Sequence, residues 1–253
     1  MVKIVVFDSG IGSLSIIKPL RKKVKSEIIY FADQKNFPYG KKSVPELRKI
    51  INGTISAIRK NFQPDLIVIG SNTPSILLKK ITSQKIIGIL PPLREAVKKS
   101  KTKSIAVLAT KSVIQSKLLN DYVNKNVPRK IIVTKINASP LVELVESGKF
   151  LSNRKYCNKI IRRILAKTFE KNNIDAVTLS STHLPFLLSM LRKNFPSVSF
   201  LDPANDVVKR IMNTINRTKS KASLQILTTG NPKIFQRQLN KLGIKNKVSH
   251  FVD

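Results

Sequence analysis

The sequence predicts an α/β fold of two pseudo-symmetric domains, each a mainly parallel sheet flanked by helices. Two observations carry this reading. Short runs rich in Ile and Val alternate with segments of helical spacing, the pattern of parallel strands covered on both faces by crossover helices. The pattern also repeats: "DLIVIGSNTPSILL" (65–78) and "DAVTLSSTHLPFLL" (175–188) align Asp65 with Asp175, Ser71 with Ser181, and Leu77 and Leu78 with Leu187 and Leu188.

Taken in order, "KIVVF" is the first strand and reaches Asp8 and Ser9, and "EIIYFAD" is the second and reaches Asp33. Helical spacing runs from Ser43 to Phe62, followed by the strands "DLIVIGS" and "KIIGIL". A helix from Leu93 to Ser100 leads into "SIAVLAT", which resembles "KIVVFDSG" in position and pattern, each opening a half of roughly one hundred residues. "KIIVTKINA", a helix from Lys155 to Asn172, and "DAVTLSS" follow, with an apolar helix expected after Pro185. The strands "VSFLD" and "LQILTTG" precede helices from Asp206 to Asn216 and from Pro232 to Leu242 respectively. The domains are expected at 1–94 with 204–253, and at 95–203.

Composition suits a folded protein: 253 residues, 42% hydrophobic, with only 9 Gly and 13 Pro and no low-complexity tract. The opening "MVKIVVFDSG" meets an acid after one short apolar run, which argues against a secretory leader, and no apolar run approaches membrane-spanning length. The expectation is a soluble, cytoplasmic protein without a membrane partner. The single Cys157 excludes a disulfide framework and reads as a half-buried helix residue. With only His183 and His250 available, no metal cluster is expected, and His250 reads as structural.

Charge is extreme: 47 Lys plus Arg against 14 Asp plus Glu give +33 at pH 7. Such a surface attracts polyanions nonspecifically at low salt. However, the cations are scattered ("RKKVKS", "KKSKTKS", "NRTKSKA"), aromatics make up 6%, and no nucleic-acid recognition signature is present.

Ligands of open α/β sheets bind beyond the carboxyl ends of the strands. The residues there are Asp8, Ser9, Asp33, Ser71 to Thr73, Thr110, Ser181 to His183, and Asp202. Small hydroxyls and carboxylates of this kind suit a zwitterion, whereas "GIGSL" is neither a dinucleotide nor a phosphate-loop fingerprint. Asp8, Ser71 and Thr182 also fit as helix caps, and Asp33, Asp65 and Asp175 as strand-end or turn residues. Two similar domains would turn their strand ends toward one cleft, placing Ser71 on one side of a ligand and Ser181 on the other.

The motifs "VFDSGIGSL", "FADQKNFPYGKKS", "GSNTPS", "VLATKSVIQS", "ASPLVELVESG", "SSTHLPFL" and "TTGNPKIF" stand in the order and spacing of the aspartate/glutamate racemase superfamily, which the chain resembles over nearly its whole length. The resemblance implies two α/β domains with the active site in the cleft between them, no cofactor and no metal. It also implies interconversion of L- and D-glutamate, or of aspartate, by α-proton transfer between two opposed cysteines. D-glutamate feeds peptidoglycan, and homodimers are common in such families. At the two cysteine positions stand Ser71, in Ser71-Asn72-Thr73, and Ser181, in Ser181-Thr182-His183.

Carried over by position, Asp8 resembles the helper of the first base and His183 that of the second, with Glu146 of "VESG" a carboxylate behind them. Ser9, Asn72, Thr73, Thr110 and Thr182 resemble the groups that bind the substrate's ammonium and carboxylates, and Pro38, Tyr39 and Gly40 of "PYG" a wall against it. Asp8 belongs to the binding set as well. The chain departs from the family pattern at Pro74, Val113 and Leu184, where a small residue, a threonine and a tyrosine are usual.

Serine alters the chemistry. A thiol starts at a pKa of about 8.5 and an alcohol near that of water, about 15.7. The gap of roughly 7 units is worth about 10 kcal/mol, beyond the roughly 3 to 5 units that burial and neighbours supply. Ordinary two-thiol racemisation is therefore expected to be severely impaired, unless a histidine takes the serine proton. Two other readings follow from the same residues: a silent dicarboxylic amino-acid binding protein, and a basic protein associated with nucleic acid.

Overall fold

The computed structural model describes residues 2–78, 81–215 and 222–252. Asn216, the last residue of one expected helix, and most of the basic run "NRTKSKA" lie outside the described residues. The chain divides into two compact units, Met1–Ile89 with Ala204–Asp253, and Leu90–Pro203.

The first unit runs through β1 (Lys3–Asp8), α1 (Leu14–Lys23), β2 (Glu27–Ala32), α2 (Val44–Phe62), β3 (Leu66–Ile69), α3 (Asn72–Leu77) and β4 (Ile86–Gly88). The second contains α4 (Leu93–Lys99), β5 (Ser104–Ala109), α5 (Lys111–Ile114), α6 (Lys117–Asn126), β6 (Ile132–Asn137) and α7 (Ser139–Glu146). It continues with α8 (Lys149–Ser152), α9 (Arg154–Lys171), β7 (Ala176–Leu179), α10 (Leu188–Asn194) and β8 (Ser199–Leu201). The chain then re-enters the first unit as α11 (Ala204–Thr214), β9 (Ser223–Thr228), α12 (Pro232–Lys241) and β10 (Val248–His250).

The first sheet has the strand order β10-β9-β2-β1-β3-β4 and the second β6-β5-β7-β8. Every pairing between these named strands is parallel. Without β9 and β10 the two orders are the same. The registers match too, since Ile4 opposes Leu66 on β3 as Ile105 opposes Ala176 on β7. The central strands explain the continuous apolar runs: Ile4 to Phe7 and Ile105 to Ala109 are 0% exposed, covered on both faces. The edge strand β6 differs. Only Ile136 of its six residues is buried and Ile132 is 64% exposed, because an edge position buries less than a central one.

An expected domain boundary at 94/95 would cut α4, whose Leu93 and Ala96 are buried beside β7 and β8. The structure instead changes unit between Ile89 and Leu90, keeping that helix whole. The long helix α2 begins where its residues dictate: Ser43 accepts the Glu46 N–H at 3.4 Å, Pro45 stands in the first turn, and Leu47, Ile51, Ile55 and Ile58 form the buried stripe. Cys157 is 0% exposed in α9, fully rather than half buried, because it belongs to the helix's buried stripe with Ile160 and Ile161. His250 lies exposed in β10, a strand too short for its periodicity to register in the sequence. Among the described residues no helix is long and apolar enough to cross a membrane.

Candidate active site

In the first unit the expected residues gather beyond the carboxyl ends of β1, β2 and β3. Asp8 ends β1 at 1% exposure, and its Oδ1 accepts the Ser9 N–H at 2.7 Å. It does not cap the following helix, which starts only at Leu14 behind Ser13. Ser9 Oγ accepts the backbone N–H of Tyr39 at 3.4 Å. Tyr39 opens a 3-10 turn, Tyr39–Lys41, that packs against α3, with Pro38 and Gly40 half-buried on either side of it.

Ser71 stands at the N-cap position of α3 but makes no side-chain capping bond; its carbonyl accepts from Ser75 Oγ at 2.7 Å. Asn72 is 3% exposed, and its Nδ2 donates to the Ile89 carbonyl at 3.3 Å while Oδ1 has no hydrogen-bond partner among the described residues. Thr73 is 5% exposed in the first turn of the same helix.

Asp33 sits beneath this group, and the sequence marks it only as a strand-end residue. At 2% exposure its Oδ2 accepts from the Tyr39 hydroxyl at 2.8 Å and from Thr54 Oγ1 at 3.3 Å. Its Oδ1 accepts from Asn36 Nδ2 at 2.9 Å and Thr229 Oγ1 at 3.3 Å. A buried carboxylate needs such donors. Burial, and then the charge of Asp33, hold the Tyr39 phenol well above the ordinary tyrosine range, so it stays a neutral donor. Asn36 is three residues from Asp33 in the chain, whereas Thr54 and Thr229 reach it only through the fold.

In the second unit Thr110 follows β5 as the N-cap residue of α5 and lies 3.3 Å from Ser112 Oγ. Ser180 to His183 follow β7, all of them buried. Ser180 Oγ and Thr178 Oγ1 pair at 2.9 Å, and the Ser180 N–H donates to Leu108 on β5 at 2.8 Å. Past them the chain forms a 3-10 turn, Leu184–Leu187, so the helix expected directly after Pro185 starts only at Leu188. Thr182 and His183 thus remain outside any α-helix, and Thr182 is not a helix cap.

Here the side chains connect. Ser181 Oγ lies 3.4 Å from His183 Nδ1, and His183 Nε2 lies 2.5 Å from Glu146 Oε1, at the last residue of α7. α7 packs against the 3-10 turn, which brings Glu146 across 37 positions of sequence. With the Glu146 carboxylate accepting from Nε2, the neutral form of His183 turns the lone pair of Nδ1 toward Ser181. A hydroxyl, an imidazole and a carboxylate in series can carry a proton away from the hydroxyl.

A family model described as Asp/Glu/Hydantoin racemase matches residues 10–211. A glutamate racemase from Leptospira interrogans is 30% identical over 84% of this chain and 82% of its own length. The crystal structure of a glutamate racemase isoform from Bacillus anthracis superposes with a TM-score of 0.88 at 25% identity, covering 99% of this chain and 97% of that one. The glutamate racemase of Francisella tularensis, solved in complex with D-glutamate, gives 0.79 at 25% identity over 99% and 97%.

Proposed function

The chain belongs to the Asp/Glu/Hydantoin racemase family, and we propose on that premise that it interconverts L- and D-glutamate by cofactor-independent α-proton transfer. The observation that supports this most is the series Ser181, His183, Glu146. Ser71 and Ser181 take the two base positions, Asp8 and His183 assist them, and Glu146 holds His183. Ser181 accepts the α-proton as it hands its own to His183, so the working base strength is that of an imidazole rather than an alkoxide. Asn72, with its unpartnered Oδ1, suits an ammonium group, and Ser9, Thr73, Thr110 and Thr182 suit the carboxylates. Tyr39, with Pro38 and Gly40, forms the wall of the binding site.

In this reading the protein is cytoplasmic, acts as a homodimer, accepts glutamate and to a lesser degree aspartate, and supplies D-glutamate as a peptidoglycan precursor. Its charge of +33 adds only nonspecific, salt-sensitive attachment to polyanions.

The test is incubation with L-glutamate, and separately L-aspartate, in deuterated water, following α-proton loss by NMR and chirality by circular dichroism. Deuterium incorporation with inversion is expected; incorporation without inversion means that one face works. A second reading, a silent binding protein, is favoured by the lack of any side-chain capping bond at Ser71. Saturable heat on titration with glutamate, with no exchange at all, establishes that reading instead.

A further inference from the structure

We propose that Ser181 is also an acyl-accepting nucleophile, so that the turn after β7 hydrolyses small carboxylic esters in addition to any proton transfer at carbon. The inference stands on the geometry of the second unit alone and does not need the racemase reading.

Ser181 Oγ is 3.4 Å from a ring nitrogen of His183 whose other nitrogen is held 2.5 Å from Glu146 Oε1. This is a nucleophile beside a base that a third group orients, the arrangement that activates serine in acyl transfer. The neighbouring serine, Ser180, pairs with Thr178 at 2.9 Å, so Ser181 is the serine of this turn placed against His183. The chemistry also suits an alcohol better than carbon-acid deprotonation does. Attack on a carbonyl needs the serine proton to leave only as the new bond forms, so no free alkoxide is required.

The step balances with water as co-reactant. Ser181 Oγ bonds to the ester carbonyl carbon while its proton passes to His183 Nδ1. The carbon–oxygen bond to the leaving alcohol then breaks, and that alcohol takes the proton from Nδ1. Water attacks the acyl-serine and gives a proton to His183. The acyl–Oγ bond breaks, Ser181 recovers the proton, and the acid departs, so that ester plus water becomes acid plus alcohol. His183 moves the proton; Glu146 is a positioning residue that keeps the imidazole in the required tautomer.

The experiment treats the full chain with a small dialkyl fluorophosphonate, which phosphorylates only activated hydroxyls, and locates the adduct by peptide mass spectrometry. An adduct on Ser181 is expected. It disappears in Ser181→Ala, persists in Ser180→Ala, and forms on the order of 100-fold more slowly in His183→Gln, the share that a general base supplies. Glu146→Gln, a near-isosteric change, lowers the limiting labelling rate about tenfold without altering the probe's apparent affinity, which a packing role would not do. Melting curves identify any variant that fails to fold. A folded wild-type chain without an adduct on Ser181, or an adduct that forms equally fast in folded His183→Gln or Glu146→Gln, overturns the proposal. Deuterium exchange into glutamate is measured separately, so the failure of either activity is distinguishable from failure of the other.

Discussion

The turn after β3 and the turn after β7 hold the same place in the same strand order, with the same register against their central strands, yet they use their serines differently. In the first, α3 starts at once at Asn72, and the residue aligned with His183 is Thr73, drawn into the helix. In the second, the α-helix waits until Leu188, and His183 is left to fold back on Ser181 and reach Glu146. Proline placement runs parallel with this. Pro74 stands in the first helical turn, where a missing N–H costs little, whereas Pro185 falls one aligned position later, inside the 3-10 turn. Repeating a fold copies the path of the strands; where the next helix begins decides which side chains can meet.

The comparison sharpens most at the two serines. Asp8 is the proposed helper of Ser71, whereas Ser181 lies 3.4 Å from an imidazole nitrogen of His183, the better proton acceptor, so a thiol at Ser71 should gain more than one at Ser181. Ser71→Cys is expected to raise deuterium exchange into glutamate on the order of 100-fold, and Ser71→Cys with Ser181→Cys to raise racemisation on the order of 1000-fold, in the range one or two general bases supply. NMR measures the exchange and circular dichroism the racemisation. An equal gain from either single change would show that the two turns are chemically alike.

The next contrast lies one residue earlier, where Gly70 aligns with Ser180. A Cβ on Gly70 would stand 2.4 Å from Ser13 Cβ and 2.9 Å from the Phe7 carbonyl oxygen, whereas Ser180 fits with its hydroxyl on Thr178. Gly70→Ser is therefore expected to cost about 3 kcal/mol by overpacking. The reverse change, Ser180→Gly, is expected to cost about 1 kcal/mol through backbone entropy and one lost hydrogen bond. Urea unfolding of both variants checks this.

The smallest contrast concerns the aspartates that open β3 and β7. Asp65 accepts the Lys3 N–H at 2.8 Å, while Asp175 accepts from Ser100 Oγ at 2.6 Å and from the N–H groups of Lys101 and Thr102 at 2.6 and 3.0 Å. Burial pushes the Asp175 carboxyl up, but these hydrogen bonds outweigh it and leave it below the ordinary carboxylate range. A lowered folded value means that its contribution is fully present above the unfolded value, about 3.9, and is lost as pH falls through the folded one. Asp175→Asn should cost about 1 kcal/mol at neutral pH and flatten the acid side of the stability profile. Asp65→Asn should cost about half as much. Thermal melts from pH 2 to 7 compare the two.

Much of this architecture was legible in the chain. Nine of the ten strands among the described residues announce themselves as Ile- and Val-rich runs, because a parallel sheet covered on both faces needs apolar residues at successive positions. The tenth, Val248–His250, pairs only with β9 and exposes two of its three residues, so it leaves no pattern. The candidate site was legible as far as local chemistry reaches. A Ser-Thr-His turn at a strand end is visible in one dimension.

What the sequence determined by itself, then, is the α/β class, the internal repeat, the family, and the aligned serines at the ends of two strands, since all of these rest on residue type and spacing along the chain. The tertiary structure alone decided that Asp33 supports Tyr39 and that His183 bridges Ser181 to Glu146. Thr54 and Thr229 meet Asp33, and Glu146 meets His183, only after strands and helices far apart in the chain have packed together. Hydrogen bonds depend on distances of about 3 Å, and no one-dimensional spacing fixes those between residues that only packing brings together.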